Sequence, residues 1–140
     1  MKKKRVLVLC TQNSARSQMA EGLFRHMAQE RFKVESAGSK PSLVNPYAIK
    51  VLAEIGIDIS SQRSKSLTEF IGQEFDYLIT VCDNVAKECP VFPGVYKKIH
   101  WSLEDPAAVV GDQEKLEAFR TVRDRLKGLI FDFSQNQTVC

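Results

Sequence analysis

Long apolar runs are missing from this 140-residue chain. Nothing in it approaches the ~18 consecutive apolar residues of a membrane-spanning helix, so no membrane contact is expected. Charge of one sign is scarce as well: 20 Lys and Arg stand against 17 Asp and Glu, a formal net charge of +3. That balance suits a small anionic substrate and leaves no basic stripe for nucleic acid, so no nucleic-acid partner is expected. The one cationic cluster, Lys2 to Arg5, leads into an apolar stretch that stops at Thr11. This is short of the ~7–15-residue apolar core of a secretory signal, and no small-residue cleavage site follows it. A cytoplasmic location is the expectation, in a compartment where thiols stay reduced. With two histidines and no C-x2-C pair, a metal site is not expected. No linker, repeat or low-complexity tract breaks the chain, and residues 1–140 read as one domain. The nucleotide signature G-x-x-x-x-G-K-[ST] is absent too.

What is present is an alternation of strand and helix. "RVLVLC" (5–10) is apolar without alternation, the pattern of a strand buried on both faces. Met19, Ala20, Leu23, Phe24, Met27 and Ala28 recur at helical spacing and predict an amphipathic helix over about 15–31. "FKVESAG" (32–38) reads as a second strand, and Asn45-Pro46 as the N-cap and first position of a second helix. A short helix is expected over 66–73, with strands over 75–82 and 97–101. A long helix over about 112–133 carries Leu116, Phe119, Val122, Leu126, Ile130 and Phe133 on one face. The fold class is therefore α/β, a four-stranded parallel sheet flanked by helices. In such sheets ligands bind beyond the carboxyl ends of the strands, where strand order reverses. That rule gathers the turn after Cys10, the segment beginning at Cys82 and the loop holding Asp105.

The turn "CTQNSAR" has a definite chemistry if it wraps from strand to helix. Backbone N–H groups of Thr11, Gln12, Asn13, Ser14, Ala15, Arg16 and Ser17, with the helix dipole, would cradle an oxyanion. Arg16 adds a planar guanidinium that grips two oxygens at once. Both features favour the thiolate form of Cys10, a nucleophile beneath a bound anion. Asn13 is the expected left-handed residue of this glycine-free turn, and Ser14 and Ser17 can donate to the sulfur. Taken without its context, a cysteine ending a core strand is packing. Attack on a tetrahedral oxyanion also needs an acid for the departing oxygen, which Asp105 supplies, with Glu104 as the alternative.

Two more cysteines follow in "CDNVAKECP", Cys82 and Cys89. On a continuous helix their separation would be about 10 Å along the axis, beyond disulfide reach. Joining them requires the segment to unwind, as a redox relay with a conformational switch would demand. Two packed cysteines is the competing reading, and the neighbourhood of Cys10 weighs against it.

"CTQNSARSQMAEG", "VESAG", "VNPYAI", "GIDIS", "TVCDN…CP", "HWSLEDPA" and "FRTVRDRL" together resemble the thioredoxin-coupled arsenate reductases of the low-molecular-weight protein tyrosine phosphatase superfamily. The resemblance spans about residues 5–133. It implies a phosphatase-like three-layer sandwich and a relay of three thiols. By position, Cys10 attacks arsenate in the cradle of residues 11–16, Arg16 clamps the anion and Asp105 protonates the departing oxygen. Cys82 then attacks Cys10 and releases arsenite, Cys89 attacks Cys82, and thioredoxin reduces the Cys82–Cys89 disulfide as external reductant, with no bound cofactor. A monomer is expected.

The pattern departs from those relatives at four places. Gln12 stands where many carry glycine. Ala15 replaces a cysteine outside the relay, which removes a route to oxidative inactivation. Some relatives bind potassium through residues matching Asn13, Glu21 and Ser36 and an aspartate where Lys65 stands, so the Lys65 ammonium is expected to replace the ion. Cys140 has no counterpart. The alternative function is a tyrosine phosphatase using Cys10, Arg16 and Asp105, which leaves Cys82 and Cys89 idle and sets Ala107 and Ala108 where aromatic residues usually frame the ring. Under the reductase reading a weak phosphatase side activity is expected. A non-enzymatic oxyanion sensor or redox adaptor is a third reading, with no interaction surface in the sequence to support it.

Overall fold

The computed structural model describes residues 3–81, 92–94 and 96–136. Cys82, Cys89 and Cys140 lie outside the described residues. Four strands, β1 (Lys4–Cys10), β2 (Phe32–Gly38), β3 (Tyr77–Thr80) and β4 (Lys97–His100), form one sheet in the order β2-β1-β3-β4. Every neighbouring pair is parallel. Three helices, α1 (Arg16–Ala28), α2 (Pro46–Ala53) and α3 (Asp112–Asn136), pack with it, and the fold class is the α/β arrangement expected. No helix among the described residues is long and apolar enough to cross a membrane.

The unbroken apolar run of β1 is explained by its two faces. Val6, Val8 and Cys10 enter a core shared with α1, α2 and α3. Leu7 and Leu9 face the opposite way, against Phe70, Phe75, Leu78 and Phe92. A strand covered on both sides has no solvent face on which polar residues could alternate. On the helical side, Phe24 of α1 stacks on Trp101 and meets Phe32 and Phe133 edge-on. The chain passes from β1 to β2 on one side and later to β3 on the other. Strand order therefore reverses at β1, and Cys10 ends that strand.

Several boundaries differ from the sequence reading. The first helix stops at Ala28, because Arg31 N–H returns to Ala28 O and Phe32 is drawn into the core as the start of β2. Residues 66–73 make only a single 3-10 turn, Leu67–Phe70, capped by Ser66. Gly72 follows at φ +89°, and the turn ends with Phe70 edge-on to Phe75. Within the described residues β3 begins at Tyr77 rather than at 75. The last helix runs three residues past Phe133.

α2 and α3 pack against each other and are tied together by charge. Glu54, the C-cap of α2, accepts hydrogen bonds from Arg120 at 2.7 Å and Arg123 at 2.9 Å on α3. The Arg120 guanidinium foremost, with Arg123 beside it, holds the Glu54 carboxyl down at about 2. At the other end of α2, Tyr47 donates to Asp112, the first residue of α3.

Candidate active site

Past the end of β1 the chain turns through residues 11–15 into α1, and its carbonyls are anchored outward. Thr11 O accepts from Lys40 N–H at 2.8 Å, and Ser14 O from Asn45 N–H at 2.9 Å. Gln12 O accepts from Ser42 N–H at 3.2 Å and from Ser64 Oγ at 3.0 Å. In a planar trans peptide the C=O and the following N–H point opposite ways. Tethering these oxygens to the outside therefore turns the N–H groups of Gln12, Asn13 and Ala15 inward. One result is direct: Asn13 N–H lies 3.2 Å from Cys10 Sγ. Ser17 Oγ lies 2.9 Å from the same sulfur. α1 opens with neither a side-chain cap nor an acidic residue in its first turn. Such an end offers its N–H groups and positive dipole to an anion.

Asn13 is the pin of this turn. It sits at φ +50°, the left-handed residue expected, and is fully buried. Its Nδ2 donates to Ser17 Oγ at 2.7 Å and Ser36 Oγ at 2.9 Å. Its Oδ1 accepts from Gln18 Nε2 at 2.9 Å and from Lys65 N–H at 2.8 Å. Behind it, Ser36 donates to Glu21 Oε1, which also receives the Lys65 ammonium at 3.1 Å. Glu21 and Lys65 are both buried, so this ion pair is shielded from water and completed by hydrogen bonds. The Lys65 ammonium thus contacts Glu21, which Ser36 links to Asn13, three of the positions at which it was expected to replace an ion.

Gly38 of β2 makes the close packing possible. A Cβ there would stand 2.5 Å from Thr11 O and 2.8 Å from Cys10 O, both backbone atoms. No side chain fits, and nothing in the sequence marks this glycine as more than the end of a strand.

In front of the sulfur lies a cleft of about 320 Å³. Thr11, Gln12, Ser14, Ala15 and Arg16 make one part of its wall around Cys10, and among the described residues Asn45, Asp105, Ala107 and Ala108 make another. Of the residues expected to cradle an oxyanion, Asn13 and Ser17 do not reach this wall; they sit behind the sulfur. Arg16 Nη1 donates to Leu103 O at 3.0 Å, and Nη2 is 3.8 Å from Asp105 Oδ2. Asp105 Oδ1 accepts from Ala107 N–H at 3.0 Å, capping the 3-10 turn Pro106–Ala108. Asp105, not the exposed Glu104, is the carboxyl that lines the cleft. The structure thus brings Cys10, Arg16 and Asp105 together, while Cys82 and Cys89 lie outside the described residues. Among the described residues no group of three His, Cys, Asp or Glu side chains is placed to hold a metal ion.

A thiol at the floor, inward N–H groups, a guanidinium and a carboxyl at the mouth can bind a tetrahedral oxyanion and attack it. Comparison with known proteins agrees in kind. The family model for low molecular weight phosphotyrosine protein phosphatases matches residues 5–137. An arsenate reductase of Halalkalibacterium halodurans is 42% identical over 136 residues, 96% of this chain and 98% of the relative. A solved arsenate reductase in its phosphate-binding state superposes with a TM-score of 0.75 at 35% identity, covering 93% of this chain and 95% of the other. A thioredoxin-dependent arsenate reductase of Corynebacterium glutamicum gives 0.69 at 30% identity, covering 96% of this chain and 63% of that one.

Proposed function

Because this chain belongs to the low molecular weight phosphotyrosine protein phosphatase family, we propose that it is an arsenate reductase regenerated by thioredoxin. The observation that carries the reading is the cleft: Cys10 at its floor, Arg16 and Asp105 at its mouth, and no aromatic side chain among the described residues of its wall. Cys10 thiolate attacks arsenic, forming a sulfur–arsenic bond as the opposite oxygen leaves, protonated by Asp105. Cys82 thiolate then attacks Cys10 Sγ. The sulfur–arsenic electron pair stays on arsenic, so arsenite departs in the +3 state and a Cys10–Cys82 disulfide remains. Cys89 attacks Cys82 and frees Cys10, and the dithiol of thioredoxin reduces the Cys82–Cys89 disulfide. A reducing, cytoplasmic setting and a monomer suit this cycle, and phosphate esters should be weak side substrates.

Mass-spectrometric disulfide mapping after arsenate treatment tests the relay. The expected products are arsenite with Cys82–Cys89 in the native protein, and a trapped Cys10–Cys82 bridge in Cys89→Ser. Phosphotyrosine hydrolysis with every thiol still reduced would establish the phosphatase instead.

Lys65 makes a second, independent expectation. With Arg25 Nη1 on its other oxygen, buried Glu21 is already neutralised by the Lys65 ammonium, so turnover should be indifferent to potassium. Activation beyond about twofold by KCl over NaCl, compared at one ionic strength so that screening is equal, would show that an ion is still needed.

A further inference from the structure

An oxyanion attacked in line presents its fourth oxygen, the one opposite the sulfur, toward the mouth of the cleft. Among the described residues, those other than the loop that line the cleft are Asp105, Ala107, Ala108 and Asn45. Asn45 arrives from the N-cap of α2 and is held at three points. Its N–H donates to Ser14 O at 2.9 Å, its carbonyl accepts from Ile49 N–H at 3.2 Å, and its Oδ1 accepts from Tyr47 N–H at 2.9 Å. With the backbone and Oδ1 committed, the Nδ2 amide is the group Asn45 has to offer a ligand.

Resting on the oxyanion reading of the cleft, we infer that Asn45 Nδ2 donates to the outward oxygen and selects free oxyanions over their esters. In a free oxyanion that oxygen carries charge or a hydroxyl and accepts well. In an ester it bears a carbon group, which weakens it as an acceptor and occupies the space the amide needs. Asp105 is a poorer discriminator, since its Oδ1 is bound to Ala107 N–H and its Oδ2 faces Arg16. Gln12 also lines the cleft but is exposed, whereas Asn45 is half-buried and pre-positioned. A donor fixed before the ligand arrives loses little entropy on binding, which is what lets it discriminate.

The cap itself provides the control. Asp and Ser cap helices about as well as Asn, so Asn45→Ser and Asn45→Asp keep α2 while removing the Nδ2 donor. The readout is protection of Cys10 from iodoacetamide in the reduced full-length protein, mapped by mass spectrometry, with inorganic phosphate or phenyl phosphate as protectant. Asn45→Ser should raise the half-protecting phosphate concentration about tenfold, in keeping with one lost hydrogen bond to an anion, and shift phenyl phosphate by less than about threefold. Asn45→Asp should weaken phosphate further, through repulsion. A purely structural role would move both protectants together. An unchanged phosphate-to-ester ratio in both variants overturns the inference. Absence of any phosphate protection in the unaltered protein overturns the oxyanion reading beneath it.

Discussion

Arg16→Lys should leave a folded protein whose kcat/KM for arsenate falls about a thousandfold, the upper range for losing one pre-positioned oxyanion donor. Arg16 is 12% exposed and starts α1, where lysine is equally at home in a helix. Its guanidinium now spans Leu103 O and the neighbourhood of Asp105. One planar group lining the cleft can therefore tie the acid loop and grip the anion together. Lysine brings the charge but no fork, so it can satisfy one of these duties at a time. Steady-state arsenate reduction coupled to thioredoxin oxidation gives the value. A loss below about tenfold would mean that Arg16 contributes charge alone, and the clamp would have to be sought elsewhere.

The second large effect is expected at a residue that touches no substrate. Asn13→Ala removes four buried side-chain hydrogen bonds, to Ser17, Ser36, Gln18 and Lys65, and leaves a β-carbon at φ +50° without the local bonding that makes Asn tolerant there. The unpaired partners and the backbone strain together cost about 3–5 kcal/mol, or roughly 10–17 °C in melting temperature. Turnover should fall by more than about a hundredfold, because the peptide that carries N–H to Cys10 Sγ moves with Asn13. Asn13→Gly separates the causes. Glycine relieves the backbone cost, about 1 kcal/mol, and recovers none of the side-chain bonds. Thermal melts in which glycine restored full stability would show that the buried network contributes nothing.

Much of this arrangement was legible in the residues, for identifiable reasons. A strand buried on both faces leaves a plain run, so β1 and its terminal Cys10 were readable, as was the Asn45-Pro46 start of α2. Asn13 was readable because a turn without glycine must place its left-handed residue somewhere, and Asn carries the smallest penalty. Other features depend on contacts between distant segments. The lack of room at Gly38 comes from backbone atoms of residues 10 and 11, which nothing in "VESAG" announces. The outward tethers of the loop reach Lys40, Ser42, Asn45 and Ser64, and spacing gives no sign of them. The short helix expected over 66–73 contracts to a 3-10 turn at Leu67–Phe70, because Leu67 and Phe70 pack on the sheet face with Phe75 while Ile71 is exposed and gives no helical stripe. Asn45 reads as a cap and not as a wall of the cleft, since a capping motif explains the residue locally.

The aromatic cluster under α1 has one more consequence. Trp101 is the chain's single tryptophan, and it is buried at 9% exposure between Phe24 and Phe133, four positions before Asp105. Indole emission from this protein therefore comes from one site, fixed at the root of the loop that delivers the acid. Its colour and quenching follow the wetting of that site, so stopped-flow fluorescence can time motion of the loop through each turnover without any attached dye.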